Sequence, residues 1–176
     1  MLKILTERVS DRSEEYYKYL ENHIDGVKKS YESIKDDLLT IVDFNEHELD
    51  ELEHKINNHD ASKYDDVEFY PYLHHFYPSK AGADNEALYD EAWNHHQKCN
   101  DHHWQYWILQ KDSGEQKILD MPLNCIIEML CDWSSFKYNN PKSTAKNWYD
   151  NNKDKMLLSD NTKNKIEELL EMLPQL

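Results

Sequence analysis

Apolar and ring-bearing side chains recur every three or four residues from Ser13 to Ile41: Tyr16, Leu20, His23/Ile24, Val27, Tyr31, Ile34, Leu38 and Ile41. That step matches the helical turn and predicts one long amphipathic helix. Asp11, with Glu14 three residues on, predicts a capping box at its start. His23 falls inside the stripe, so it faces the core or whatever the core encloses. A second stripe, Leu49, Leu52 and Ile56, predicts a helix opening at Asp43, with Glu46 completing another capping box. The next step of three lands on His59, and Asp60 follows it.

Between residues 64 and 85 the step is lost. Tyr64, Phe69, Tyr70, Tyr72, Phe76 and Tyr77 crowd together with Pro71, Pro78 and Gly82, which predicts an irregular aromatic connection able to wall a pocket. His74 and His75 read as surface or supporting residues here. The step returns from Asp84 to Gln110, a third helix aligning Leu88, Ala92, His96, Cys99, His103 and Trp107. Asp112-Ser113-Gly114 breaks the chain, and Asp120-Met121-Pro122 opens a fourth helix, proline being tolerated in a first turn. Ile126, Ile127, Met129, Leu130, Cys131, Trp133 and Phe136 make that helix apolar nearly all round, hence central. Trp148 and Tyr149 offer a docking point further on. Asp160 predicts the cap of a last helix that buries Ile166, Leu169, Leu170 and Leu173.

Three glycines and five prolines in 176 residues favour helices with short connections, so the predicted class is all-α. One domain over residues 1–176, with its core at about 13–173, suits the length. The 31% charged composition leans toward disorder, but 12% aromatic residues supply enough apolar area for a folded core. A net charge of −15 disfavours a nucleic-acid polymer as partner, whereas a small phosphorylated ligand is compatible once a cation reverses the local sign. No stretch approaches the roughly 18 apolar residues of a membrane span, and the N-terminus carries no leader pattern. Cys99, Cys125 and Cys131 lack CxxC spacing. The expectation is a soluble, reduced, cytoplasmic protein with no membrane partner.

The candidate chemistry lies in histidines and carboxylates. Residues 91–104 hold two pairs, His95/His96 and His102/His103. Positions seven apart on an ideal helix differ by about 20° in projection, so His96 and His103 share a face there. Of the four, His95 reads as the bystander. Glu128 and Asp132 stand one turn apart in the central helix, where a buried carboxylate needs an ion partner or a metal. Adjacent His59 and Asp60 can both reach one cation.

The order His23, His59-Asp60, paired histidines and Asp132 resembles the metal-dependent HD superfamily, named for its adjacent His-Asp and closed by a later Asp. The strings His59-Asp60-Ala61-Ser62-Lys63, Ala92-Trp93 through His96, Asn100, His102-His103-Trp104 and Glu128 to Trp133 also resemble a family of small bacterial and phage proteins of unknown function. The likeness spans roughly residues 16 to 170. It implies an all-α HD-type helical bundle in which His23, His59, Asp60 and Asp132 hold one divalent metal. His96 with His103 or His102 would add a second. One departure stands out: the superfamily commonly has Gly before the lysine where this chain has Ser62, so the turn that carries Lys63 is expected to differ.

On that resemblance the expected cofactor is one or two divalent transition-metal ions (Mn, Fe, Co, Ni or Zn). The expected activity is hydrolysis of a small phosphorylated compound, a nucleotide among the candidates, by a metal-activated water. Asp60 would orient the water, with Lys63 and His102 binding phosphate or protonating the leaving group. Two other readings fit the same residues: an HD-type di-iron oxygenase of a small substrate, and a non-catalytic metal-binding or partner-binding module.

Overall fold

The computed structural model describes residues 2–78 and 85–176, with side chains from residue 11 onward. The first stripe forms helix α1, Leu2–Ile41. It begins well before Ser13, so Asp11 and Glu14 lie inside the helix and form no capping box. Neither glycine nor proline interrupts the preceding residues, and nothing in that stretch stops a helix. Helix α2, Glu46–Asn57, is capped by a box of Asn45 and Glu48 rather than Asp43 and Glu46. Both pairs have the right spacing. The choice follows from α1, whose last turn still binds the Val42 N–H to the Leu38 carbonyl (2.9 Å) and delays the new start.

The aromatic connection is itself largely helical. After a 3-10 turn, Ala61–Tyr64, comes helix α3, Asp66–Phe76, with Pro71 inside it. Phe69, Tyr72 and Leu73 are its buried face, packed with Tyr16, Leu20 and Ala92. Their helical spacing is hidden among exposed aromatic neighbours such as Tyr70 and Phe76. Pro71 removes the bond to the carbonyl of Val67, a residue 51% exposed and open to water.

The third predicted helix is shorter than expected. Helix α4 spans Glu86–Cys99 with Asn85 as N-cap; the predicted start at Asp84 lies outside the described residues. It stops at Asn100, whose side-chain amide donates to the His96 carbonyl (2.9 Å) and to Ser62 Oγ (2.8 Å). A turn and a 3-10 segment, Trp104–Trp107, lead to strands β1, Ile108–Gln110, and β2, Gln116–Ile118, an antiparallel hairpin. The predicted break at residues 112–114 is therefore its turn, with Gly114 at φ 85°. The fold is predominantly helical with one small hairpin, not wholly α. Strands of three residues are too short to show alternation in sequence.

Helix α5, Leu123–Ser135, is the axis, with ten of its thirteen residues buried. Helices α1, α2, α6 (Ala145–Asn152) and α7 (Asp160–Met172) contribute to the main core around it. The cap of α7 is Ser159, whose hydroxyl accepts the Thr162 N–H (3.1 Å); Asp160 is the first helical residue instead. A smaller core joins α1, α3 and α4. The polar site lies on the seam between the two cores: Leu20 belongs to the smaller and Val27 to the larger, with His23 between them on α1. Among the described residues no helix is long and apolar enough to cross a membrane.

Candidate metal centre

Five segments deliver side chains to one buried point. His23 comes from α1 and Asp132 from α5. His59 and Asp60 follow the end of α2, and Asp60 takes the left-handed conformation (φ 56°, ψ 23°). An L-residue held there is uncommon, aspartate being among the types that tolerate it. His96 comes from the last turn of α4. His102 and His103 come from the turn after it, which brings both imidazoles inward without helical continuity. Packing is close where α1 meets α5: a Cβ added at Gly26 would stand 3.1 Å from both the Cβ and the carbonyl oxygen of Ser135.

Asp60 is the hub. Its Oδ2 lies 3.5 Å from His23 Nε2 and 3.6 Å from His59 Nε2. Asp132 Oδ1 faces the same two nitrogens at 3.2 and 3.8 Å. The other oxygen, Asp60 Oδ1, lies 3.2 Å from His96 Nε2 and 3.5 Å from His102 Nε2. Two groups of donor atoms therefore meet at one carboxylate: His23, His59 and Asp132 on one side, and His96, His102 and His103 with Asp60 on the other. Within each group the atoms are close enough together to hold a metal ion.

The outer ring nitrogens are already engaged. Glu128 Oε1 accepts from His59 Nδ1 (2.9 Å) and His102 Nδ1 (3.1 Å), and Glu68 Oε2 accepts from His96 Nδ1 (2.8 Å). His23 Nδ1 meets the hydroxyl of Ser135 at 3.1 Å. A carboxylate on Nδ1 fixes the tautomer and presents the Nε2 lone pair inward, the usual support for a ligating histidine. Those inward atoms are orphans: His59, His96, His102 and His103 Nε2 and Asp60 Oδ1 are buried with no hydrogen-bond partner. Buried polar groups rarely go unpaired, and this donor set fits a divalent cation.

The electrostatics agree. With protons as the only cations, burial lowers the basicity of His59, but Asp60, Asp132 and Glu128 outweigh it and lift its pKa to about 10. His23 and His96 also rise, burial again being overcome by carboxylates. Glu128 falls to about 2: burial opposes, and His102 and His59 prevail. Asp60 and Asp132 fall well below the usual range: burial opposes in both, and His59, Lys63, His23 and His96 outweigh it at Asp60, His23 and His59 at Asp132. His103 goes the other way, held neutral by burial and by the charges of His102 and His96. The carboxylates thus call for concentrated positive charge.

Lys63 Nζ sits 2.6 Å from Asp60 Oδ2, so Ser62 in place of glycine does not turn it away. Ser62 instead donates to Glu68 (3.1 Å) and receives Asn100. His102, expected as a proton donor, has Nδ1 on Glu128 and Nε2 toward Asp60, the posture of the neighbouring imidazoles. His95 faces out of the centre and pairs with Glu68 Oε1 at 2.7 Å. His74 is exposed and His75 stacks on Tyr89, both away from the centre. Glu68, fully buried, was not legible in the sequence because it stands in the aromatic run; Glu128 was legible only as a carboxylate needing a partner. A cleft of about 250 Å³ opens beside the centre, reaching His23, Asp60, Lys63, His103 and Asp132 between the rings of Trp93, Trp104 and Trp148.

Neither the curated proteins nor the solved structures contain a match to this chain. A model of a family of unknown function, DUF5662, matches residues 12–172, which include every residue of the centre. The chain belongs to that family.

Proposed function

We propose that this protein is a metal-dependent phosphohydrolase of the HD type, holding two divalent transition-metal ions that share Asp60. The observation that carries this reading is the convergence of five buried, unpartnered donor atoms on both sides of one carboxylate. His23, His59, Asp60 and Asp132 would hold one ion. His96, His102 and His103 with the second oxygen of Asp60 would hold the other. Such ions supply an acidic bound water near neutral pH and neutralise phosphate oxygens.

The remaining roles fall to the chain's own groups. Glu128, Glu68 and Ser135 orient the imidazoles. In the metal-free chain Asp60 overcomes the cost of burying Lys63 and holds it as a cation, and Lys63 lines the cleft, where it would meet a phosphate oxygen. It would also serve as the proton donor to the leaving group, since Lys63 lines the cleft and His102, with Nδ1 on Glu128 and Nε2 toward Asp60, does not. The aromatic cleft suits a small phosphorylated compound with an apolar or planar body, nucleotides included.

The imidazole-rich set suits iron as well as manganese, so a di-iron oxygenase of a small substrate is the second reading. A non-catalytic metal module would share the same ligands. Elemental analysis of untagged protein, followed by phosphate release from a panel of monoesters, tests the proposal. Two transition-metal ions per chain and phosphate release lost in Asp60→Ala are expected. Iron with substrate-dependent oxygen consumption and no phosphate release would replace it with the second reading. A chain that neither carries nor takes up metal would overturn both.

A further inference from the structure

Glu68 joins the central imidazoles to another group of donors. Its Oε2 faces His96 Nδ1, on the ring edge away from Asp60, while its Oε1 faces His95 Nδ1 at 2.7 Å. One turn along α4, Cys99 Sγ lies 3.5 Å from His95 Nε2 and 3.7 Å from Nδ1. Oxygen, nitrogen and sulfur donors of these three residues fall within 4.8 Å of one another. Glu68 is inside the protein, His95 is half-buried and Cys99 is exposed, so the group opens to solvent, and none of the three lines the cleft beside the centre.

We infer that Glu68, His95 and Cys99 form an outer cation site, separate from the central one, for a borderline or soft divalent ion such as zinc, cadmium or cobalt. The donor spacing is the first argument. A tetrahedral zinc site places sulfur and nitrogen ligands about 3.6 Å apart, close to the 3.7 Å between Cys99 Sγ and His95 Nδ1, the nitrogen that also faces Glu68. Oxygen and nitrogen ligands stand about 3.4 Å apart, so the Glu68–His95 contact must open by roughly 0.7 Å, a movement a half-buried imidazole on a helix end can make. The second argument is chemical selectivity. Every donor of the central groups is nitrogen or oxygen, whereas this group adds a sulfur, the ligand that selects softer ions.

Binding is a proton exchange. Burial, with Glu68 and Asp65 adding to it, holds the Cys99 thiol above its ordinary value, so it is no free thiolate. The incoming ion displaces the thiol proton to solvent, and the ring proton that faces Glu68 passes to the other nitrogen of His95, with no change of oxidation state. Because Glu68 spans both sites, an ion on Oε1 draws charge from the contact that orients His96. The outer site thereby couples to the centre, whatever reaction the centre performs.

Cobalt(II) titration into the full, metal-stripped chain under reducing conditions reads the thiolate directly, as a sulfur-to-cobalt charge-transfer band in the near ultraviolet. Cys125 and Cys131 are buried and belong to no such donor group among the described residues, so the band reports Cys99. The band is expected in the wild type and in His59→Ala, absent in Cys99→Ser, and at least tenfold weaker at equal cobalt in His95→Ala. Cys99 is exposed, so its serine variant keeps the fold, which far-ultraviolet circular dichroism checks. No band at millimolar cobalt, or a band surviving Cys99→Ser, would overturn the outer site while leaving the central proposal untouched.

Discussion

Glu128 Oε1 lies 2.9 Å from His59 Nδ1, and the same oxygen takes His102 Nδ1 at 3.1 Å. One carboxylate on α5 thus orients one imidazole from each side of Asp60. Its second oxygen lies 3.8 Å from Lys55, which also pairs with Asp101 beside His102. Glu128→Gln keeps shape and an acceptor but loses the charge that polarises both rings. Metal affinity is expected to fall about 10- to 100-fold, the usual effect of removing such a support. Competition against a fluorescent chelator measures it. Unchanged affinity in a folded variant would mean that Glu128 balances only Lys55.

Asp60 divides its oxygens between the two donor groups, so its loss differs from that of a ligand serving one group. Asp60→Asn preserves size and is one of the few changes compatible with φ 56°. Metal content is expected to drop from two ions per chain to well under one, because both donor groups lose a carboxylate oxygen, whereas His103→Ala, on one side only, retains one. Elemental analysis after dialysis distinguishes them. Two ions retained by Asp60→Asn would exclude a shared carboxylate.

Much of the centre was legible because periodicity carried it. His23 occupies a core position in an apolar stripe, His59 follows Leu52 and Ile56 by the same step, and Asp132 stands in a helix with almost no polar face. The paired histidines were legible as candidates but for an incomplete reason. Residues 96 and 103 do not share one helix face; Asn100 ends α4, and the turn returns His102 and His103 together. Periodicity describes regular elements and says nothing about where a turn folds back. Glu68 was hidden for a related reason: Pro71 and the aromatic crowd disguised α3, and a carboxylate in an apparent loop gives no sign of burial. The N-caps at Asn45 and Ser159 each had a rival within two residues, and local spacing alone does not rank rivals.

Protons and metal compete for the same nitrogens, which sets a pH dependence. In the metal-free chain His59 is raised to about 10, and His23 and His96 are raised too. Their contribution to stability is fully present below the unfolded histidine value of about 6.5 and is lost as pH rises through the folded values. Glu128 at about 2, with Asp60 and Asp132 also lowered, acts oppositely: its contribution is present above about 4.3 and is lost on acidification through the folded value. Metal-free protein should therefore lose thermal stability between pH 7 and 10, while metal-loaded protein, whose cations do not titrate, should not. Apparent metal affinity should rise over the same window, with protons released on binding. Calorimetry in two buffers of different ionisation enthalpy counts them. Binding without proton release at pH 7 would mean that the imidazoles are already neutral.

Gly26 sets how closely α1 approaches α5, and so whether His23 reaches Asp132 at 3.2 Å. Alanine there favours the helix by up to about 1 kcal/mol. It also brings a methyl group to 3.1 Å from the Cβ and backbone oxygen of Ser135. The side chain of Ser135 can shift, but its carbonyl moves only with α5, so the helices must part by a few tenths of an ångström. Ser135 also meets His23 Nδ1, and Asp132 lies one turn earlier on α5, so the separation acts on ligand geometry more than on the core. Gly26→Ala is expected to change unfolding free energy by less than about 1 kcal/mol, the propensity gain offsetting the contact, while metal affinity falls about tenfold, the scale of a disturbed supporting contact. Gly26→Val, bulkier and β-branched, should lose both. Chelator competition alongside thermal unfolding separates these effects. A stabilised Gly26→Ala variant with full affinity would show that α1 and α5 have slack at this contact, and that His23 is positioned by Ser135 alone.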